Sequence, residues 1–329
     1  MNITSNQIDK LNLELTMTVT PEDYSAEVKK KLNDYRRKAE FKGFRKGNVP
    51  MSLIERVYGE QALGDAVNDI VGEQLYKYIA DNGIRTLGEP LSSEKQPEIE
   101  WKNGGDFTFI FDLATPEKVE FEVVKEDIVP YYNINVTETA KNEMKKNLKK
   151  YYEEKKEEKS EEDLDKEVTD RLTFEYKQEA DARLDKDIRN YFVQKAAVEL
   201  PEDYLKRWLF VLNKGKVSKE DIEKEFPSFL KDFKWQLVRD FLAEKYDIKV
   251  ESKDIQEAAE GFVVYQYAMY GIGNVPPEMI KEAANNVLSD ERQVSRLEEQ
   301  VLSVKVMDAV KKDITVKTKK ISLDKFKAL

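Results

Sequence analysis

The sequence predicts an α+β domain at the amino terminus, followed by an elongated, mostly α-helical carboxyl-terminal domain. Apolar residues alternate with polar ones near the start of the chain, and farther along they recur at every fourth position from residue 164 to residue 196. Charged residues make up 36% of the 329 residues, against only 13 glycines and 10 prolines, which favours long exposed helices. This length exceeds what one core usually holds, so we expect at least two modules.

The first domain begins with a predicted strand and two predicted helices. Alternation from Leu11 to Val19 is typical of a half-buried strand. Thr20 and Pro21 then supply the cap and first residue of a helix. Apolar residues at helical spacing from 53 to 79 predict a second helix, which the Asp-Asn-Gly sequence at 81–83 ends.

A hairpin is expected to close the first domain. Ile99 and Trp101 precede an Asn-Gly-Gly turn at 103–105, and Phe107, Phe109 and Phe111 follow at strand spacing. The first domain is therefore assigned to residues 1–113. An extended linker is assigned to residues 114–136, with a short strand at 131–136, and the helical domain to residues 137–329.

The helical domain opens with a helix that carries Ala140, Met144, Leu148 and Tyr151 on one face. A run of mixed-sign charge at 153–163 follows and lacks an apolar face, so we expect a solvated bridge or a helix–helix turn there. The every-fourth stripe then predicts one long helix. Each step of four overshoots a full turn by about 40°, so the stripe winds around that helix and must meet several neighbours.

The rest of the chain is predicted as helices with one short strand near the end. Pro201 opens the first of these helices, and Asn213-Lys214-Gly215 ends it. A cap at Ser218 precedes a short helix. The remaining segments are helices at 227–246, 252–270, 277–288 and 290–312, a strand at 314–316 and a last helical turn at 322–329.

Several classes of function have no support in the composition. The chain contains no cysteine and no histidine, which removes disulfides, zinc–thiolate sites and the Ser-His-Asp and Cys-His constellations. No phosphate-binding glycine motif is present. We therefore expect no catalytic residues, no metal site and no cofactor. The chain also shows no apolar run of membrane-spanning length and no secretory signal at its start, so a cytoplasmic location is expected.

One short segment stands out by its charge. Between Lys29 and Lys46 nine residues are basic and two are acidic, in a chain of net charge −10. The run ends in Gly43-Phe44-Arg45-Lys46-Gly47, followed by Asn48, Val49 and Pro50, so the backbone can turn sharply and present an aromatic and two cations at a tip. Such a tip suits docking, but the spacing alone also fits an ordinary solvated helix end.

This segment resembles the ribosome-docking loop of the trigger factor family of bacterial chaperones. The segments at 11–19, 21–40, 54–59 and 104–109 also fall where that family's amino-terminal domain has them. The resemblance covers roughly the first third of the chain closely and the last half more loosely. It implies a ribosome-binding domain, a chaperone domain with arm-like helical extensions, and contact with a large-subunit protein and rRNA beside the exit site. The residues it implies for docking are Lys42, Gly43, Phe44, Arg45, Lys46 and Gly47.

The sequence departs from that family in its middle. Trigger factors ordinarily insert a prolyl isomerase domain between the arms, and the stretch near 153–163 has no room for one. The chain is therefore expected to lack isomerase activity. Whether it forms a homodimer when free is left open by the sequence.

Contacts with unfolded clients are predicted in the segment from Phe262 to Tyr270, where aromatics and a methionine occupy several helix faces. One face must be core, and the opposite face is the predicted contact surface. Its residues are Phe262, Tyr265, Met269 and Ile272.

The predicted function is an ATP-independent chaperone that docks at the ribosomal exit site and shields apolar segments of nascent or unfolded chains. Three alternatives remain. A prolyl isomerase would need the missing domain. An RNA-binding or ribosome-binding module without holding activity explains the basic run but not the helical half. A helical holding chaperone could also act away from the ribosome.

Overall fold

The computed structural model describes residues 1–329, which form two compact units. One unit combines residues 1–118 with 199–229, and the other combines 119–198 with 230–329. The elements in chain order are β1 (Asn2–Gln7), β2 (Asn12–Val19), α1 (Pro21–Lys38), α2 (Met51–Asp81), β3 (Leu91–Ser92), β4 (Phe107–Ala114), β5 (Ile128–Ile134), α3 (Glu138–Lys155), α4 (Glu161–Ala196), α5 (Glu202–Leu212), α6 (Lys219–Lys245), α7 (Ser252–Met269), α8 (Pro277–Leu288), α9 (Glu291–Asp313), β6 (Thr315–Ile321) and α10 (Leu323–Lys327).

The predicted fold class is confirmed: an α+β amino-terminal region precedes a mostly helical remainder. No helix is both long enough and apolar enough to cross a membrane. The first unit is built on an antiparallel sheet of order β1-β2-β4-β3. In β2 every second side chain is buried, namely Leu13, Leu15, Met17 and Val19. This confirms the period-2 prediction for that strand.

Helices α1 and α2 cover one face of this sheet and complete its core. At the start of α1 the Thr20 main-chain N–H donates to the Asp23 carboxylate at 2.8 Å, as in a capping box. Tyr24, Ile54 and Val67 are fully buried between the helices and the sheet. The first two predicted helices are therefore confirmed, apart from small shifts at their ends.

The predicted hairpin at residues 99–111 is wrong. Residues 99–101 form no strand, although Trp101 packs its ring on Phe107 at 5.1 Å. The edge of β4 is met instead by a side chain: the Gln96 amide donates to the Thr108 carbonyl at 3.0 Å and accepts from the Ile110 N–H at 2.6 Å. The glutamine side chain replaces a main-chain partner at this edge, and Pro97 beside it offers no N–H of its own.

Helix α5 belongs to the first compact unit, although the sequence analysis grouped it with the helical domain. Its Tyr204 hydroxyl donates to the Glu89 carbonyl at 2.6 Å, and its Arg207 pairs with Asp112 of β4 at 2.8 Å. The Trp208 ring lies against Gly88, where an added Cβ would approach to 2.7 Å at a φ of +80°. The residues in contact are far apart in sequence, so no local sequence pattern could predict these contacts.

Helix α6 also differs from expectation, because it runs without interruption through Pro227. The sequence analysis began a new helix at that proline. Proline removes one hydrogen bond from a helix interior, but long helices tolerate that loss when flanking packing holds them. Here Phe226 is buried beside Phe229, their ring centroids 5.8 Å apart.

In the second unit, the long helix α4 confirms the winding stripe. Eight side chains at every fourth position are buried, from Leu164 through Phe192. The turn predicted within the charge run lies between α3 and α4, where Lys156 adopts a φ of +57°. Strands β5 and β6 pair in parallel, and α7, α8 and α9 share a separate small core around Val263 and Leu297.

Candidate functional site

The predicted docking loop connects α1 to α2 across residues 39–50, and its base is held firmly. Ala39 and Val49 are buried at its two ends. The Arg36 guanidinium donates to the Val49 carbonyl at 2.8 Å, which ties the last turn of α1 to the end of the loop. The loop therefore leaves the domain from two fixed points.

Three aromatic rings brace the same base. Tyr58 of α2 stacks on Tyr35 of α1 at 5.1 Å and meets the edge of Phe41 at 6.3 Å. The Tyr35 hydroxyl donates to the Asp65 carboxylate at 2.5 Å, and this hydrogen bond raises the pKa of Tyr35. The rings and the hydrogen bond fix α1 against α2 beneath the loop.

Two consecutive turns shape the tip. The Phe44 N–H donates to the Phe41 carbonyl at 3.1 Å, and the Asn48 N–H donates to the Arg45 carbonyl at 2.9 Å. The third residue of each turn is a glycine with positive φ, +91° at Gly43 and +82° at Gly47, as a type II turn requires. No atom lies within 4 Å of a Cβ built at either position, so conformation rather than space demands glycine here.

The tip presents an aromatic ring among cations. Phe44 is 45% exposed, and Lys42, Arg45 and Lys46 are exposed with it. Lys46 pairs with Glu40 at 3.1 Å, but both side chains are well exposed, so water and other anions compete easily for the pair. Lys42 and Arg45 have no ion-pair partner in the chain.

The basic run as a whole is only partly neutralised. Lys30, Lys31, Arg37 and Lys46 form ion pairs, with Glu27, Asp69, Asp34 and Glu40 respectively. The cations left without an acidic partner are Lys29, Arg36, Lys38, Lys42 and Arg45. Two of these lie at the tip itself, which keeps the loop strongly positive on an acidic protein.

The second predicted surface lies on α7 and the residues just after it. Val263 and Ala259 face the small core shared with α8 and α9. On the other side Tyr265 is 64% exposed and Met269 is 70% exposed, with Phe262 and Ile272 exposed nearby. The two faces of α7 therefore differ as the sequence analysis expected.

The end of α7 holds this surface in place. Gly271 has a φ of +76°, and the Ile272 N–H donates to the Tyr267 carbonyl at 2.9 Å, which closes the helix and places Ile272 beside its last turn. Tyr270 is 83% exposed and Met279 of α8 is half exposed. The sequence analysis included Tyr270 in the candidate segment but not among the four residues of the contact surface, and it did not name Met279.

Models of two parts of one family match the chain. Residues 1–151 match "Bacterial trigger factor protein (TF)", and residues 180–329 match "Probable trigger factor, C-terminal domain". Together they cover both the docking loop and the α7 surface.

Individual relatives match part of the chain. The trigger factor of Dinoroseobacter shibae is 32% identical over 151 residues, which is 45% of this chain and 33% of the relative. The trigger factor of a Geobacter species is 33% identical over 134 residues, 39% of this chain and 30% of the relative. These matches thus span about a third of the curated relatives' length.

A solved structure supports the fold over almost the whole chain. It comes from work on promiscuous substrate recognition in the folding and assembly activities of the Trigger Factor chaperone. It aligns with a TM-score of 0.55 at 14% identity, covering 94% of this chain and 99% of its own. From the paired family models, the curated relatives and this shared fold, the chain belongs to the trigger factor family.

Proposed function

We propose that this protein is an ATP-independent chaperone that docks beside the ribosomal exit site and shields apolar segments of nascent or unfolded chains. The observation that carries this proposal is the loop at 39–50, where a rigid base presents an exposed Phe44 among unpaired cations. Residues 1–113 would dock, residues 114–136 would link, and residues 137–329 would hold clients.

Docking is proposed to use all six residues from Lys42 to Gly47. Arg45 can donate two parallel hydrogen bonds to a phosphate of rRNA or to a carboxylate of a large-subunit protein beside the exit. Lys42 and Lys46 add charge, and Phe44 supplies an apolar anchor. The net charge of −10 means that rRNA repels most of the remaining surface, which confines contact to this tip.

Holding is proposed to use Phe262, Tyr265, Met269 and Ile272. Exposed apolar area of this kind contributes about 25 cal/mol per Å2 when a client covers it, and ordering of both partners offsets much of that gain. Binding is therefore weak and reversible. A chaperone that binds unfolded chains but not native ones delays their aggregation by mass action.

Three finer points belong to the same proposal. The protein acts in the cytoplasm, where ribosomes are. It carries no prolyl isomerase activity, which an assay of prolyl-peptide isomerisation with the purified protein checks; turnover would contradict it. The third point is the oligomeric state of the free protein, which the sequence leaves open and which sedimentation at several concentrations decides between monomer and homodimer.

Co-sedimentation with bacterial ribosomes at two salt concentrations tests docking. We expect salt-sensitive binding that is lost when Phe44→Ala, Arg45→Ala and Lys46→Ala are combined. A matched triple, Lys146→Ala, Lys150→Ala and Lys166→Ala, removes exposed helix lysines and should leave binding intact. Binding that ignores both salt and the tip variant favours a holding chaperone that works away from the ribosome.

Suppression of aggregation of a chemically unfolded client tests holding. We expect Tyr265→Ser, Met269→Ser and Ile272→Ser together to weaken suppression while ribosome binding stays intact. Unchanged suppression would place client contact elsewhere. An intact chain that binds ribosomes but never suppresses aggregation favours the ribosome-binding module without holding activity.

A further inference from the structure

The carboxyl-terminal strand β6 offers an open edge that neither surface above uses. β6 pairs with β5 on one side, in parallel, and no strand pairs with its other side. Every residue of β6 except Ile321 is exposed. The outer edge of β6 is therefore unpaired along the whole length of the strand.

The hydrogen-bond pattern shows which main-chain groups remain open. The Thr315 N–H donates to the Asp127 carbonyl at 2.9 Å, and the Asn135 N–H donates to the Ile321 carbonyl at 2.9 Å. Because main-chain groups of a strand alternate in direction, the odd residues of β6 face β5. The N–H and carbonyl groups of Val316, Thr318 and Lys320 consequently point away from β5, and no other group of the chain bonds to them.

The two outer edges of this small sheet differ in the residues that they carry. By the same alternation Pro130 of β5 faces away from β6, so proline denies a donor to a strand approaching from that side. β6 contains no proline. Its edge carries Lys317, Lys319 and Lys320 instead, all exposed and without an ion-pair partner.

These lysines select what can pair with β6. Exposed lysines on an edge repel a second copy of the same strand, which protects the protein from self-association. The same charges attract a strand that carries carboxylates, since opposite charges on neighbouring strands stabilise pairing. The edge has no exposed aromatic ring on which nucleic-acid bases could stack, and RNA cannot use a row of alternating donors and acceptors as a peptide does.

We infer that the open edge of β6 binds extended, acidic segments of unfolded polypeptides by adding them as a strand to the β5–β6 sheet. Main-chain hydrogen bonds from Val316, Thr318 and Lys320 supply the pairing, and the three lysines supply the preference for acidic sequences. This inference deepens the proposed holding function and rests on it, because it names a client chemistry that the apolar α7 surface does not recognise.

Fluorescence anisotropy with a labelled peptide that alternates glutamate and valine tests the inference. Two matched probes are a peptide that alternates lysine and valine, and the acidic peptide with N-methyl groups on alternate residues. We expect binding of the acidic peptide only, weakened by salt. Equal binding of all three probes, or of none, overturns the inference.

Two variants of the intact chain locate the contact. A variant that combines Lys317→Gln, Lys319→Gln and Lys320→Gln should bind the acidic peptide about tenfold or more weakly, since charge-assisted contacts are lost. Thr318→Pro should also weaken binding of the acidic peptide, because it removes the main-chain N–H that points away from β5. Thr318→Val keeps that N–H and should bind normally. The combination Lys146→Gln, Lys150→Gln and Lys166→Gln, exposed and without ion-pair partners, should bind normally.

Two further measurements distinguish strand pairing at β6 from general anion binding and from client holding by the α7 surface. A labelled oligouridylate that binds more tightly than the acidic peptide, and that ignores Thr318→Pro, would show an anion patch instead of strand pairing. Suppression of client aggregation through the α7 surface should survive all β6 variants. If the protein suppresses aggregation but does not bind the acidic peptide, only the inference about β6 is overturned. If the unmodified protein does not suppress aggregation at all, the proposed holding function is overturned.

Discussion

Two turns between helices are rich in charge, yet they present opposite surfaces. The docking loop at 39–50 leaves Lys42 and Arg45 without an acidic partner and exposes Phe44 between them. The α3–α4 turn at 156–160 lies within a run of three lysines and seven acidic residues, so the charge around it is mainly negative. Within that run Lys159 and Glu161 form ion pairs. Lys159 contacts Glu167 at 2.7 Å, Arg171 contacts the same carboxylate at 2.6 Å, and Glu161 pairs with both Lys145 and Lys149.

The difference teaches that the sign of the charge left over, more than the density of charge, decides which kind of partner a charged segment can bind. Hydrogen bonds from Lys159 and Tyr152 lower the pKa of Glu167 to about 2, and those from Lys145 and Lys149 lower the pKa of Glu161 to about 2. These carboxylates are already occupied within the chain. The docking loop instead uses glycine turns and a braced base to hold its cations outward.

The largest expected effect comes from breaking the turns without touching the cations. Gly43→Ala and Gly47→Ala together should weaken ribosome binding by at least about tenfold, because the left-handed conformation costs roughly 1–2 kcal/mol per non-glycine residue. Gly59→Ala in α2, where an added Cβ meets no atom, is the control and should bind normally. Full binding by the double variant would mean that charge alone suffices at the tip.

A smaller effect is expected from the unpaired cations alone. Lys42→Gln with Arg45→Gln should reduce the slope of log affinity against log salt by about 1.4–1.8, if each releases one counterion from rRNA. Lys30→Gln with Lys31→Gln removes two cations that already have acidic partners. Titrations with ribosomes at several salt concentrations should therefore show a shallower slope for the first pair than for the second. Equal slopes would mean that unpaired and ion-paired cations contribute alike to ribosome binding.

The stability of the α3–α4 turn should depend on acid, because the Glu167 carboxylate beside it is ion-paired. The pKa of Glu167 lies below its unfolded value of about 4.3, so its contribution to stability is present above that pH and is lost as the pH falls toward 2. Solvent screening limits the contribution to about 1 kcal/mol or less. Circular dichroism from pH 5 to pH 2 should show a smaller loss of helix in Glu167→Gln, which starts without the carboxylate, than in the unmodified chain.

The smallest expected effect is no effect. Lys155→Gln, Lys156→Gln and Lys159→Gln remove every lysine of the α3–α4 charge run, yet ribosome affinity should not change. Co-sedimentation beside the Phe44, Arg45 and Lys46 variant measures both on one scale. A drop in binding for the lysine variant would make the second turn a docking site too.

Local patterns predicted most of the elements. The alternation in β2, the stripe of α4 and the proline that opens α8 each carry their own signal, and the structure places the elements within a few residues of the expected bounds. The docking loop was equally predictable in shape, since glycines at 43 and 47 indicate turns before any contact is known. Its assignment to docking came from family resemblance and stays a prediction.

The failures involve partners distant in sequence. Gln96 bonds along β4 in place of the expected strand at 99–101, and nothing in its neighbours distinguishes it from an ordinary surface glutamine. Trp208 lies on Gly88, more than a hundred residues away. The exposure of Tyr270 depends on where α7 ends and on which face α8 and α9 cover, so apolar composition alone could not separate core from surface.

The winding stripe of α4 limits how this protein can change in length. Seven steps of about 40° carry the buried line through roughly 280° between Leu164 and Phe192. One residue inserted midway would rotate everything beyond it by about 100° and detach all later side chains from their neighbours at once. Insertions and deletions in evolution should therefore collect at the ends of α4, such as the turn before Glu161, while its interior keeps a fixed number of residues.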